Sequence, residues 1–173
     1  IEAVGAGVKG LKAGDRVAAL TYRAHAQYDI AEASSVVPLP ESLQGRAVPG
    51  EPLGCAYNIF RRSRIEAGQT VAIVGIGFLG ALLTQLASHA GARVIAVSRR
   101  PFSLDFAKAC GAAHTIAMGD HWKVLERVKS LTDGSWCERV IECTGLQWPL
   151  DLAGEMTAER IVDRASLVAE PDR

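Results

Sequence analysis

The sequence predicts an α/β protein built on a doubly wound parallel sheet, with a short β-rich region ahead of it. Three features carry that prediction. After Gly68, apolar strand-like runs alternate with stretches of helical periodicity, a rhythm that builds an open parallel sheet with helices on both faces. Val71-Ala72-Ile73-Val74 is apolar throughout, as a strand covered on both faces must be. Before Gly68 the chain instead has short β-favouring runs between Gly- and Pro-bearing turns.

Taken in order, Val4-Gly5-Ala6-Gly7-Val8 and Lys12-Ala13-Gly14-Asp15-Arg16 are turn stretches. Val17 to Tyr22, Ala26 to Ile30 and Ser35 to Leu39 read as strands, closed by Pro38 and Pro40. Pro49-Gly50-Glu51-Pro52 leads into a helix from Leu53 to Arg64. Pro52 suits its first position, where a missing N–H costs nothing. After the strand at Val71–Val74, the residues Leu79, Leu82, Leu83, Leu86 and Ala87 keep helical spacing. Val94 to Val97 is the second parallel strand, Pro101 to Cys110 a helix stopped at Gly111, and His114 to Ala117 the third strand. Asp120 caps a helix that puts Val124, Leu125, Val128 and Leu131 on one face. Val140 to Cys143 is the fourth strand, and Pro149 opens a last helix carrying Leu152 and Met156.

The chain has 173 residues, 49% apolar and 22% charged, with 19 basic and 19 acidic side chains. That composition supports a buried core and argues against disorder. Zero net charge without a basic run leaves no footprint for nucleic acid or a membrane surface. The apolar stretch 71–87 is broken by Gly75, Gly77, Gly80, Thr84 and Gln85 where a strand turns into a helix, so no membrane span is expected. Cys55, Cys110, Cys137 and Cys143 form no C-x-x-C pair, and no secretory signal is visible. Reduced, mostly buried thiols in a cytoplasmic protein are expected.

Gly75-Ile76-Gly77-Phe78-Leu79-Gly80 matches G-x-G-x-x-G between a strand and a helix, the context that gives this pattern meaning. Gly75 permits the tight turn, Gly77 lets backbone approach a pyrophosphate, and Gly80 lets helix pack on strand. Sites for NAD place a carboxylate at the end of the second strand to bond the ribose 2′-OH. Here that strand ends in Ser98-Arg99-Arg100, a hydroxyl and two guanidiniums suited to a 2′-phosphate. NADP(H) is therefore expected over NAD(H), which the glycine loop also admits. Solvated surface charge is the plain alternative for both arginines. S-adenosylmethionine-dependent methyltransferases share such a loop, but commonly have an acid at the second strand's end, and Ser98 removes it.

In this order and spacing the motifs resemble medium-chain, zinc-type alcohol dehydrogenases over residues 1 to about 160. Ile1 to Val8 with Gly14-Asp15-Arg16-Val17 resembles the stretch after that family's Gly-His-Glu motif. Glu51-Pro52-Leu53-Gly54-Cys55 looks like the segment of its polyol and threonine dehydrogenase branch, and Val97 to Pro101 is similar to an NADP-binding segment. Cys143-Thr144-Gly145 matches the turn beside the nicotinamide. The resemblance implies hydride transfer between an alcohol or ketone and NADP(H), assisted by a catalytic zinc in the full-length protein. It implies Glu51 as a zinc ligand and Cys55, one turn on, as a catalytic residue facing the nicotinamide. A helix-start carboxylate and an ordinary packed thiol are the plain alternatives for these two.

The expected organisation is a remnant of a GroES-like domain at 1–45, a connecting helix at 46–68 and an incomplete Rossmann-type coenzyme domain at 69–160. An atypical tail follows at 161–173, because Arg160 to Ala165 departs from the Gly-flanked fifth strand the resemblance calls for. Thr21 to Gln27 runs without Cys where the family's structural zinc would sit, so no structural zinc is expected. His25 and His89 are lone residues. The chain reads as an internal piece, inactive alone, of a protein expected to be a homo-oligomer acting on a small molecule, with no nucleic-acid or membrane partner. A zinc-independent quinone or enone reductase and a non-enzymatic NADPH-binding protein are the other readings.

Overall fold

The computed structural model describes residues 1–23 and 25–158. It divides into two compact units, Ile1–Cys55 and a second from Ala56 on. In the first, β1 (Val17–Ala19) pairs antiparallel with β2 (Val36–Pro38), Val17 lying opposite Pro38. The Arg16 guanidinium braces this unit by donating to the carbonyls of Leu43 and Arg46, each at 2.6 Å. The strand expected at Ala26 to Ile30 is instead a run of bends. There the Asp29 carboxylate accepts the amides of Arg23 and Ile30 at 2.9 and 2.8 Å, and such local bonds compete with strand pairing. No described residue of this unit is buried.

Helix α1 spans Gly50–Ser63, so it starts before the expected Leu53. Pro52 thus lies inside the first turn, where N–H groups have no intrahelical acceptor in any case.

The second unit holds β3 (Thr70–Val74), β4 (Arg93–Ser98), β5 (His114–Ala117) and β6 (Arg139–Glu142), all parallel, in the order β5-β4-β3-β6. Between them run α2 (Phe78–His89), α3 (Pro101–Ala109) and α4 (His121–Leu131), and α5 (Gln147–Glu155) follows β6. Strand residues alternate between two cores, as a period of two requires. Val71, Ile73, Val94 and Ala96 pack with Leu83, Ala87 and Ala107 of α2 and α3. Ala72, Val74, Ile95 and Val97 pack with Val124, Val128, Leu152 and Met156 on the opposite face. Asp120 caps α4 as expected, its Oδ1 accepting the Lys123 amide at 2.9 Å. α5 begins at Gln147 rather than Pro149, and β6 ends at Glu142, leaving Cys143 in the following turn.

After α5, the Ala158 amide donates to the Cys137 carbonyl at 2.8 Å, and Thr157 makes a parallel bridge with Cys137. The expected tail at 161–173 lies outside the described residues. Among these, no helix is long and apolar enough to cross a membrane.

Candidate functional site

The chain adds β4 and then β5 on one side of β3, then returns to place β6 on the other. The carboxyl ends of β3 and β6 therefore flank a topological switch point, where open α/β sheets leave a crevice. The glycine loop leaves β3 on one side of it and Cys143-Thr144-Gly145 leaves β6 on the other.

Each side is shaped by close backbone approach. Gly75 has φ +93°, and its amide donates to the Val97 carbonyl at 2.8 Å. A Cβ there would meet the Thr144 methyl, so loop and turn are in direct contact. A Cβ at Gly80 would overlap the Gly75 carbonyl oxygen. Ile76 is buried, Leu79 half-buried and Phe78 exposed. Gly77 is the N-cap of α2 and makes no side-chain cap bond, and nothing lies within 4 Å of where its Cβ would be. Open space thus borders the first turn of α2, whose unbonded amides and positive dipole end attract anions.

Across the crevice, the Cys143 amide donates to the Val74 carbonyl at 2.8 Å. The Glu142 carboxylate then accepts the amides of Thr144 and Gly145 at 2.6 and 2.9 Å. Sequence reasoning passed over Glu142. Its signal was an acid ending the otherwise apolar run Val140-Ile141.

At the end of β4, Ser98 is buried, continuing the parity of Val94 and Ala96. Arg99 and Arg100 are exposed. Arg100 is the N-cap of α3, and its Nη2 donates to the Ile76 carbonyl at 3.4 Å, tying the strand end to the glycine loop. A groove of about 300 Å³ adjoins them, lined by Phe78, Leu82, Phe102 and Phe106 among others.

Cys55 is exposed and donates to Glu51 Oε1 at 3.0 Å, a bond that raises its pKa above the ordinary value. The neighbouring carboxylate favours the protonated form of this thiol. Burial pushes Cys137 and Cys143 up to about 12, with the charges of Glu138 and Glu142 adding to it. Both stay neutral at physiological pH, the inert state of a structural thiol. Among the described residues, no three His, Cys, Asp or Glu side chains converge on a metal position. Glu51 and Cys55 make two donors where a catalytic zinc takes three, so the described residues do not by themselves fit zinc.

A parallel sheet with a glycine turn at its switch point and an uncapped helix start beside it defines a dinucleotide-binding class of fold. The zinc-binding dehydrogenase family model matches residues 79–162. A sorbitol dehydrogenase of Halalkalibacterium halodurans is 34% identical over 69% of this chain and 36% of its own length. The quinone oxidoreductase of Pseudomonas syringae superposes with a TM-score of 0.75 at 30% identity, over 92% of this chain and 50% of that one. A mycobacterial protein solved with NADPH gives 0.74 at 28% identity, over 91% and 51%. The chain belongs to the zinc-binding dehydrogenase family of the medium-chain dehydrogenase/reductase superfamily, and it spans about a third to a half of these relatives' lengths.

Proposed function

We propose that this chain carries the coenzyme-binding part of an NADP(H)-dependent oxidoreductase that moves a hydride between the nicotinamide and a small alcohol or ketone. The observation that carries this reading is the switch point itself. An open, uncapped helix start lies at the end of β3, and a strand end bearing Arg99 and Arg100 without a carboxylate lies beside it. The α2 amides bind the pyrophosphate, with Gly77 allowing close approach. Arg99 and Arg100 receive the 2′-phosphate, and the bond from Arg100 to Ile76 keeps that guanidinium at the lip of the glycine loop. Thr144 and Gly145 wall the crevice on the nicotinamide side. The bound coenzyme supplies the hydride chemistry, and these residues orient it.

The second reading, reduction of a quinone or enone without zinc, is supported by the match to a quinone oxidoreductase over 92% of the chain. The two readings part at the metal. Zinc assistance needs donors beyond Glu51 and Cys55, so zinc content of the longer protein in which this segment occurs distinguishes them.

Equilibrium titration of the chain with NADPH and NADH at physiological salt tests the coenzyme assignment. NADPH is expected to bind about tenfold tighter or better, a difference of about 1.4 kcal/mol. Replacing Arg99 and Arg100 together by Ala should erase that preference. Equal affinity for the two coenzymes in the unaltered chain would refute the assignment.

A further inference from the structure

Resting on the coenzyme reading above, we propose that Glu142 is a positioning residue for the nicotinamide half of the coenzyme, acting through the Thr144-Gly145 turn. Glu142 is the last residue of β6 and stands opposite Val74, immediately before Gly75 opens the glycine loop. Both carboxylate oxygens are engaged, Oε1 by the Thr144 amide at 2.6 Å and Oε2 by the Gly145 amide at 2.9 Å. Bonds of this charge-assisted kind are about twice as strong as neutral ones. The turn continues to α5 through Thr144 Oγ1, which accepts the Leu146 amide at 3.2 Å.

Two consequences follow for the crevice. First, the wall is fixed in place. Thr144 sits where a Cβ on Gly75 would run into its methyl, so any slackening of the turn moves a group in contact with the glycine loop. Second, Glu142 occupies two adjacent amides that would otherwise form an anion-binding concavity. With those amides occupied, the α2 start is left as the backbone donor set for a pyrophosphate, which fixes on which side of the crevice the phosphates lie. The same carboxylate, after burial, helps to keep the neighbouring Cys143 thiol protonated, so the wall stays uncharged at that residue.

The adenine half binds at the far end of the loop and should be indifferent to this turn. That difference supplies the test. The chain and its E142Q variant are titrated with NADPH and with adenosine 2′,5′-bisphosphate, which lacks the nicotinamide. Loss of the charged acceptor should weaken NADPH about tenfold, leave the bisphosphate unchanged and return NADPH emission toward that of the free coenzyme. Retained bisphosphate binding also shows that the variant is folded. Gly145→Ala, which strains the same turn at φ +73° without touching the carboxylate, should give the same split. Equal weakening of both ligands, or no change in either, would overturn the positioning role alone. If the unaltered chain bound neither ligand, the coenzyme reading would fall first and this inference with it.

Discussion

Both units of this molecule put β-branched residues into extended chain, yet they use them differently. Val71, Ile73, Val94 and Ile95 are fully excluded from solvent, whereas Val37 of β2 is 64% exposed. The strand chemistry is the same, and the number of covering layers is not. β3 has a strand on either side and a helical layer over each face, while β1 has one described neighbour and pairs over three residues. The candidate site lies wholly in the layered unit, where close-packed surroundings can hold donors in a fixed geometry.

The contrast can be broken most severely at the glycine loop. Gly80→Val drives a branched side chain into the Gly75 carbonyl, and the second unit should lose at least about 3 kcal/mol, together with coenzyme binding. Urea denaturation followed beside an NADPH titration reads both effects. High pH should also strike this unit. The folded-state pKa values of Cys137 and Cys143 are raised to about 12 from the ordinary 9.0. The unfolded chain therefore loses those protons first. Stability is intact below pH 9 and declines between pH 9 and 12, by on the order of 4 kcal/mol per thiol. Cys137→Ala should flatten part of that decline in urea midpoints measured against pH.

One truncation placed in both units sharpens the comparison. Ile95→Ala removes buried methylenes between two layers and should cost about 2–5 kcal/mol, whereas Ile30→Ala should stay within about 0.5 kcal/mol. The smallest effect expected is chemical. Glu51→Gln replaces the charged acceptor beside Cys55 with a weaker, neutral one, so Cys55 should react several-fold faster with an aromatic disulfide reagent. The three less exposed thiols should still wait for denaturant.

Much of the layered unit was legible because local and global signals agreed there. The apolar run at Val71–Val74, the cap at Asp120 and the glycine loop each named their own surroundings. Ser98 shares the sheet face of Val94 and Ala96, which the period of two along β4 already implies. The first unit was harder to read. Ala26 to Ile30 has strand composition, but Asp29 bonds its own neighbourhood, and composition does not reveal which partner a carboxylate takes. Glu142 stayed hidden for the same reason. Glu51 and Cys55 were visibly one helical turn apart, yet that spacing does not say that the acid takes a hydrogen bond from the thiol.

Hydrogen exchange of the whole chain, with and without saturating NADPH, reads where the coenzyme binds. Exchange should slow at residues 75–80 and 143–145 on binding, with no change anywhere in 1–23 or 25–55. Slowing confined to the first unit, or no slowing at the glycine loop, would contradict that placement of the coenzyme.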